Sequence, residues 1–213
     1  MGKSDSSLSR RGLFRGVGTA SLGAAACRTE PTRDPDNDAT QGGESARALV
    51  SPQEVDTTIN GKAVRKAVEP RTTLAEFLRL DVGLTGTKVG CDRGSCGACM
   101  VLVDGEPQNS CMLLALDVNG REVTTVEGLG SSKQLAPIQQ AFVDHDALQC
   151  GFCTSGMLIS CSALLSRSKS GSLNRKQVDD AIAGNLCRCG TYPHVVAAVL
   201  RANGATPESQ GGA

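Results

Sequence analysis

Aromatic residues are nearly missing from this chain: among 213 residues there are four Phe, one Tyr and no Trp. Any core must therefore be aliphatic. Histidine is scarce too, with only His145 and His194. Both read as surface or packing residues rather than ligands or bases. Net charge is absent, because 22 Lys and Arg balance 22 Asp and Glu. A neutral chain lacks the basic face that nucleic-acid binding draws on, which excludes nucleic acid as a partner. No run of about 18 apolar residues occurs, so no ordinary membrane-spanning helix is expected. No Ser-His-Asp set, phosphate loop or paired-carboxylate motif stands out, so the chain is expected to have no catalytic residue or substrate pocket of its own. What is abundant is glycine, at 25, and cysteine, at ten.

Eight of the ten cysteines form two quartets. Cys91, Cys96 and Cys99 have the spacing C-x4-C-x2-C, and Cys111 follows. That is the plant-type [2Fe–2S] spacing. Gly86, Gly90, Gly94 and Gly97 interleave with these cysteines. A loop wrapped around a cluster needs positive φ angles and close backbone approach, and glycine permits both. Zinc sites more often use two paired knuckles. The second quartet is split. Cys150 and Cys153 form a C-x2-C pair, and Cys187 and Cys189 form a C-x-C pair. C-x-C is tight for a zinc knuckle but can hold one iron of a cluster. Cys161 lies outside both quartets, within an apolar helix, and reads as a small buried hydrophobe.

The stretches GTKVGCDRGSCGACMVLVDG, QCGFCTSGM and GNLCRCGTYPHVVAAV carry a resemblance to a known family. The chain resembles the two-cluster iron–sulfur subunit of the xanthine dehydrogenase and aldehyde oxidase group of molybdenum hydroxylases. Within that group it looks most like the iron–sulfur subunit of periplasmic aldehyde oxidoreductase. The resemblance spans about Val55 to Asn203. It implies an electron wire inside an oxidoreductase, serving oxidation of an aldehyde or N-heterocycle at a molybdenum–pterin cofactor on a separate large subunit. It implies that electrons leave through two [2Fe–2S] clusters to an FAD-binding subunit or a cytochrome c subunit. The helical-domain cluster would lie nearer the molybdenum, and Gln149 and Cys150 match family positions that touch the pterin. Thr154-Ser155-Gly156 departs from the commoner Thr-Pro-Gly, which implies a local loop adjustment. Cys189-Gly190-Thr191-Tyr192 departs from the Cys-Thr-Gly-Tyr of xanthine dehydrogenases, which puts purine substrates in doubt. Two other readings stay open on the residues alone. One is a freestanding exported ferredoxin-like carrier, which needs only the first quartet. The other is a structural zinc or disulfide-rich exported module.

The resemblance implies an α+β chain: a β-grasp, plant-type ferredoxin-like domain over 50–128, then a four-helix [2Fe–2S]-binding domain over 135–203. The residues agree. Asn60-Gly61 is a strong hairpin signal. Thr72-Thr73 can cap a helix through Leu80, with Leu74, Phe77 and Leu78 on its core face. Met100–Val103 and Glu122–Val126 read as strands. Helices are expected over 136–143, 156–165, 175–183 and 193–202, with Pro137 and Asn174 near starts and Gly184 at an end. Lys88 lies beside the first cluster loop and Arg93 within it; such charges could raise a cluster potential or simply be solvated loop charges.

Ahead of these domains, Ser9-Arg10-Arg11-Gly12-Leu13-Phe14-Arg15 looks like a twin-arginine export signal within residues 1–27. Gly16–Ala26 is weakly apolar, and Ala24-Ala25-Ala26 suits a signal peptidase. The expected location is periplasmic, because this route exports protein already folded around its cofactors. Cys27 is a candidate lipid-anchor residue or simply lies near the cut. Residues 28–49 read as a disordered linker and 204–213 as a disordered tail.

Overall fold

The computed structural model describes residues 51–204. The export signal, Cys27, the linker and all of the tail except Gly204 lie outside the described residues. Strands β1 (Gln53–Ile59) and β2 (Lys62–Val68) form an antiparallel hairpin across Asn60-Gly61. Asn60 has φ 50° and Gly61 φ 74°, the positive pair that matches the twist of two flanking strands. Thr73 then opens α1 (Leu74–Glu76) with a reciprocal cap. Its hydroxyl accepts from the Glu76 N–H at 3.2 Å, while the Glu76 carboxylate accepts from the Thr73 N–H at 2.9 Å. The helix continues as a wider π turn, Phe77–Asp81.

The loop carrying the first quartet follows, then β3 (Met100–Val103), β4 (Glu106–Asn109) and β5 (Glu122–Thr124). The sheet order is β2-β1-β5-β3-β4, with β1 and β5 parallel and every other neighbour antiparallel. That is the β-grasp arrangement, in which a helix lies across a mixed sheet. Leu74, Phe77 and Leu78 are each fully buried against Val55, Val101, Val103 and Val123. Burying a side chain of this size contributes about 1.5–3 kcal/mol, so this face anchors α1.

The expected strand Glu122–Val126 stops at Thr124. The Thr125 N–H donates to the Asn60 side chain at 2.8 Å instead of to a strand, and α2 (Val126–Leu129) starts there. Four helices complete the fold: α3 (Pro137–Asp144), α4 (Thr154–Arg167), α5 (Arg175–Ile182) and α6 (Tyr192–Ala202). Their core is aliphatic apart from Phe142, with Ile138, Met157, Val178, Ile182, Val195 and Val199. Among the described residues, no helix is long and apolar enough to cross a membrane.

Residues 51–204 fall within one compact unit. Helix α4 lies along β3 and β4, so the helical part is docked on the sheet part. At the far end of α4, Arg167 pairs with Glu106 at 2.6 Å, an exposed contact of small energetic value.

Candidate functional site

The first quartet sits on the loop between α1 and β3, with Cys111 on a single 3₁₀ turn after β4. The loop is tied down at its start. Arg79 Nη1 donates to the Thr85 carbonyl at 2.9 Å and the Thr87 carbonyl at 2.7 Å. The Glu127 carboxylate accepts from the Gly86 N–H at 2.7 Å. Backbone donors then turn toward sulfur. The Ser95 N–H donates to Cys91 Sγ at 3.2 Å and the Gly94 N–H to Cys111 Sγ at 3.4 Å. These donors have a chemical consequence at Cys91. The N–H of Arg93, the Cys96 thiol and the N–H groups of Ser95 and Cys96 outweigh burial and lower its thiol to about 7. Cys99 moves the other way, pushed up to about 11 by burial and by the Cys111 thiol beside it.

The second quartet occupies two helix-entry turns. Cys150 and Cys153 lie on the loop into α4, and Cys187 and Cys189 on the loop into α6. Helix N-termini favour the thiolate form. At Cys187, burial raises the thiol, but donors from Thr191, the Cys153 thiol and Gly190 overcome it and hold it at about 7. Cys153 is driven up to about 12, by burial first and then by the Cys187 and Cys150 thiols. The Cys187 N–H donates to the Tyr192 hydroxyl at 2.8 Å, which fixes the turn.

The eight thiols therefore meet as pairs: Cys91 with Cys96, Cys99 with Cys111, Cys153 with Cys187, and Cys150 with Cys189. Each quartet supplies two pairs, which is the donor set for a centre of two irons with two thiolates each. The C-x-C cysteines do not pair with each other as their spacing suggested: Cys187 turns to Cys153 and Cys189 to Cys150, because the two helix-entry turns face one another. The hydroxyls of Thr154 and Ser155, directly after Cys153, are buried without a protein partner. The chain thus leaves polar atoms beside the second quartet for a group it does not itself supply, and the residues fit an iron–sulfur cluster.

Gln149 and Cys150 are adjacent and both exposed, as is Cys189. Lys88 and Arg93 are each held by a backbone carbonyl of the loop, which leaves their charge beside it. Lys88 Nζ donates to the Thr85 carbonyl at 2.6 Å and Arg93 Nε to the Cys91 carbonyl at 3.2 Å. His145 and His194 meet at the surface, where the His194 ring contacts the His145 carbonyl. Cys161 is fully buried, and burial pushes its thiol up to about 12.

No motif pointed to the contacts that join the quartets. The Gly97 carbonyl accepts from Asn185 Nδ2 at 3.0 Å, and the Cys96 carbonyl accepts from the Leu186 N–H at 2.9 Å. A Cβ on Gly90 would meet Cys96 Sγ at 3.2 Å and the Phe152 ring at 3.4 Å. The ring beside Cys153 therefore reaches the first loop. The available signal was a pair of glycines, Gly97 and Gly156, whose shared reason is close backbone approach.

Comparison with known proteins agrees with this geometry. A 2Fe-2S iron-sulfur cluster binding domain family matches residues 57–132, and a [2Fe-2S] binding domain family matches 125–200. The aldehyde oxidoreductase iron-sulfur-binding subunit of Escherichia coli is 44% identical over 68% of this chain and 69% of its own. The nicotine 6-hydroxylase small subunit of Paenarthrobacter nicotinovorans is 48% identical over 71% of this chain and 90% of its own. The quinoline 2-oxidoreductase structure from Pseudomonas putida superimposes with a TM-score of 0.66 at 43% identity, over 72% of this chain and 96% of that one. Paired thiols in two linked domains and relatives of this similarity lead to one conclusion: the chain belongs to the two-domain [2Fe–2S] family of electron-transferring iron–sulfur subunits of the molybdenum hydroxylases.

Proposed function

We propose that Cys91, Cys96, Cys99 and Cys111 hold one [2Fe–2S] cluster and Cys150, Cys153, Cys187 and Cys189 the other. The chain would then link a molybdenum–pterin large subunit to an FAD-binding or cytochrome c subunit during oxidation of an aldehyde or N-heterocycle. The observation that carries the reading is the arrangement of eight thiols as four pairs in two domains bonded to each other. Each cluster, when bound, supplies a one-electron redox centre, and the protein supplies its position and tuning.

The chain's own residues divide the work. The thiolates bind. The N–H groups of Gly94 and Ser95 donate to sulfur and would stabilise its negative charge, favouring the reduced state of a cluster held at the first site. The loops of the second quartet present exposed Leu148, Phe152 and Leu186 beside exposed Cys150 and Cys189. An apolar surface around exposed thiols supports docking of the molybdenum subunit there, with Gln149 and Cys150 toward the pterin. The twin-arginine motif supports export of the folded, loaded chain to the periplasm, and Cys27 is the residue a lipid anchor would use.

Low-temperature EPR of the reduced, purified complex tests the ligand assignment. Two distinct signals are expected from wild type. Cys150→Ser should lose the signal of the second site, keep that of the first and stop turnover. Loss of both signals in Cys150→Ser would contradict two separately loaded sites, and a colourless wild-type protein would overturn the cluster reading altogether.

A further inference from the structure

The bond that joins the two quartets has no support from the side chain that makes it. The Leu186 N–H donates to the Cys96 carbonyl at 2.9 Å, yet the Leu186 side chain is 59% exposed. The residue before it is the opposite case. Asn185 is 1% exposed, and all of its polar groups are engaged. Nδ2 donates to the Gly97 carbonyl at 3.0 Å, and Oδ1 accepts from the Ser160 hydroxyl at 2.9 Å. Its N–H donates to the Ile182 carbonyl at 2.8 Å, and its carbonyl accepts from the Tyr192 hydroxyl at 3.1 Å. That same hydroxyl accepts from the Cys187 N–H. One buried amide thus reaches the first loop, helix α4 and the turn of the second quartet together.

The first loop is shaped around it. Gly97 has φ 67°, and a Cβ there would stand 2.5 Å from Asn185 Nδ2 and 2.6 Å from the Gly184 carbonyl. Cys96 and Cys187 each adjoin a residue of this junction. A route with a single hydrogen bond runs from Cys96, through the Leu186 N–H, to Cys187.

We propose that Asn185 is a positioning residue for electron transfer between the two sites. It holds residues 184–187 against the first loop and so sets the separation and electronic coupling of the two centres. The proposal rests on the reading that both quartets carry clusters. One electron passes per event: the donor site is oxidised by one, the acceptor site is reduced by one, no bond forms or breaks, and no proton moves. Without the amide, the buried Ser160 hydroxyl loses its acceptor and the Gly97 carbonyl keeps only the Met100 N–H at 3.2 Å, so the bond that spans the two loops is gone and the junction has reason to open.

The test uses the intact complex with wild type, Asn185→Ala, Asn185→Asp and Ser160→Ala. Iron is counted for each, and spin–spin interaction between the two reduced centres is read by pulsed dipolar EPR. Asn185→Ala should keep its iron and lose the wild-type interaction, with slower electron passage between sites in rapid freeze-quench. Asn185→Asp keeps size and the Ser160 acceptor but cannot donate to Gly97, so it should follow Asn185→Ala. Ser160→Ala keeps the Gly97 bond and should lose only part of the interaction. A merely structural role would lower the yield of loaded protein while leaving the interaction in the loaded fraction unchanged, and that result would overturn the proposal. An Asn185→Asp variant indistinguishable from wild type would do the same. Should Asn185→Ala fail to load, the decision passes to Asn185→Asp and then Ser160→Ala, the mildest change. Absence of iron from the wild type would instead overturn the cluster reading on which the proposal stands.

Discussion

Gly156→Ala separates helix propensity from the docking of the two domains. Gly156 lies in the first turn of α4, where alanine is the better helix former by about 1 kcal/mol. Propensity alone predicts a more stable variant. The structure predicts the reverse. A Cβ on Gly156 would stand 3.0 Å from the Gly97 carbonyl carbon and 3.2 Å from Ala98 Cα, and closer still to the Gly97 oxygen. The obstruction is backbone on both sides, so no rotamer relieves it. Overpacking of this kind costs about 3 kcal/mol at the upper end of its range. Relief by separation would instead strain two bonds, Asn185 to Gly97 and Leu186 to Cys96, each contributing about 1 kcal/mol net. Set against the propensity gain, the net loss is about 2 kcal/mol. That corresponds to a midpoint lower by about 4–8 °C for a domain of this size. The assay is thermal loss of helical circular dichroism and of cluster absorbance, at one scan rate. Gly184→Ala is the control, because a Cβ there meets nothing within 4 Å. A Gly156→Ala variant as stable as wild type would refute the close docking of α4 on the first loop.

Other perturbations address the sites singly. Arg79→Ala removes the two Nη1 bonds to the Thr85 and Thr87 carbonyls; Thr85 keeps Lys88 Nζ, so the loss falls mainly at Thr87 and is about 1.5–3 kcal/mol. It should make the first site lose iron faster on chelator challenge while the second keeps it, and equal lability of both would count against the loop's dependence on Arg79. Cys161→Ala should leave the iron count and both EPR signals unchanged, since Cys161 is buried apart from the eight paired thiols; loss of either signal would contradict that. Its effect on alkaline stability has a definite sign. Burial raises the folded thiol to about 12 from 9.0, so its contribution is complete below about pH 9 and falls as pH rises toward 12. Wild type should lose stability more steeply than Cys161→Ala above about pH 9, and parallel curves in denaturant titrations would show the thiol is not buried.

Much of the fold was readable because its signals are local. Asn60-Gly61 and the Thr73–Glu76 cap act within a few residues, and cysteine spacing encodes a donor set directly. Strand β4 was not readable. Glu106-Pro107-Gln108-Asn109 is polar and contains proline, and it forms only because an edge strand pairs on one side, with β3. The end of β5 was set by Asn60, 65 residues away in sequence. The junction of the sites was hidden for the same reason: Asn185 and Gly97 are 88 residues apart, and neither residue type alone announces a partner. The cysteines were legible as two quartets, whereas what holds the two quartets together depends on tertiary approach.

The claim that this chain is a two-cluster electron path is tested most directly by counting metals in the native complex. Iron and molybdenum would be measured per copy of the chain, with flavin and haem assayed in the same sample. About four irons per chain, as two [2Fe–2S] clusters on eight thiols require, together with molybdenum, is the expected result. About two irons or fewer and no molybdenum would contradict it, because a single plant-type cluster suffices for a freestanding carrier.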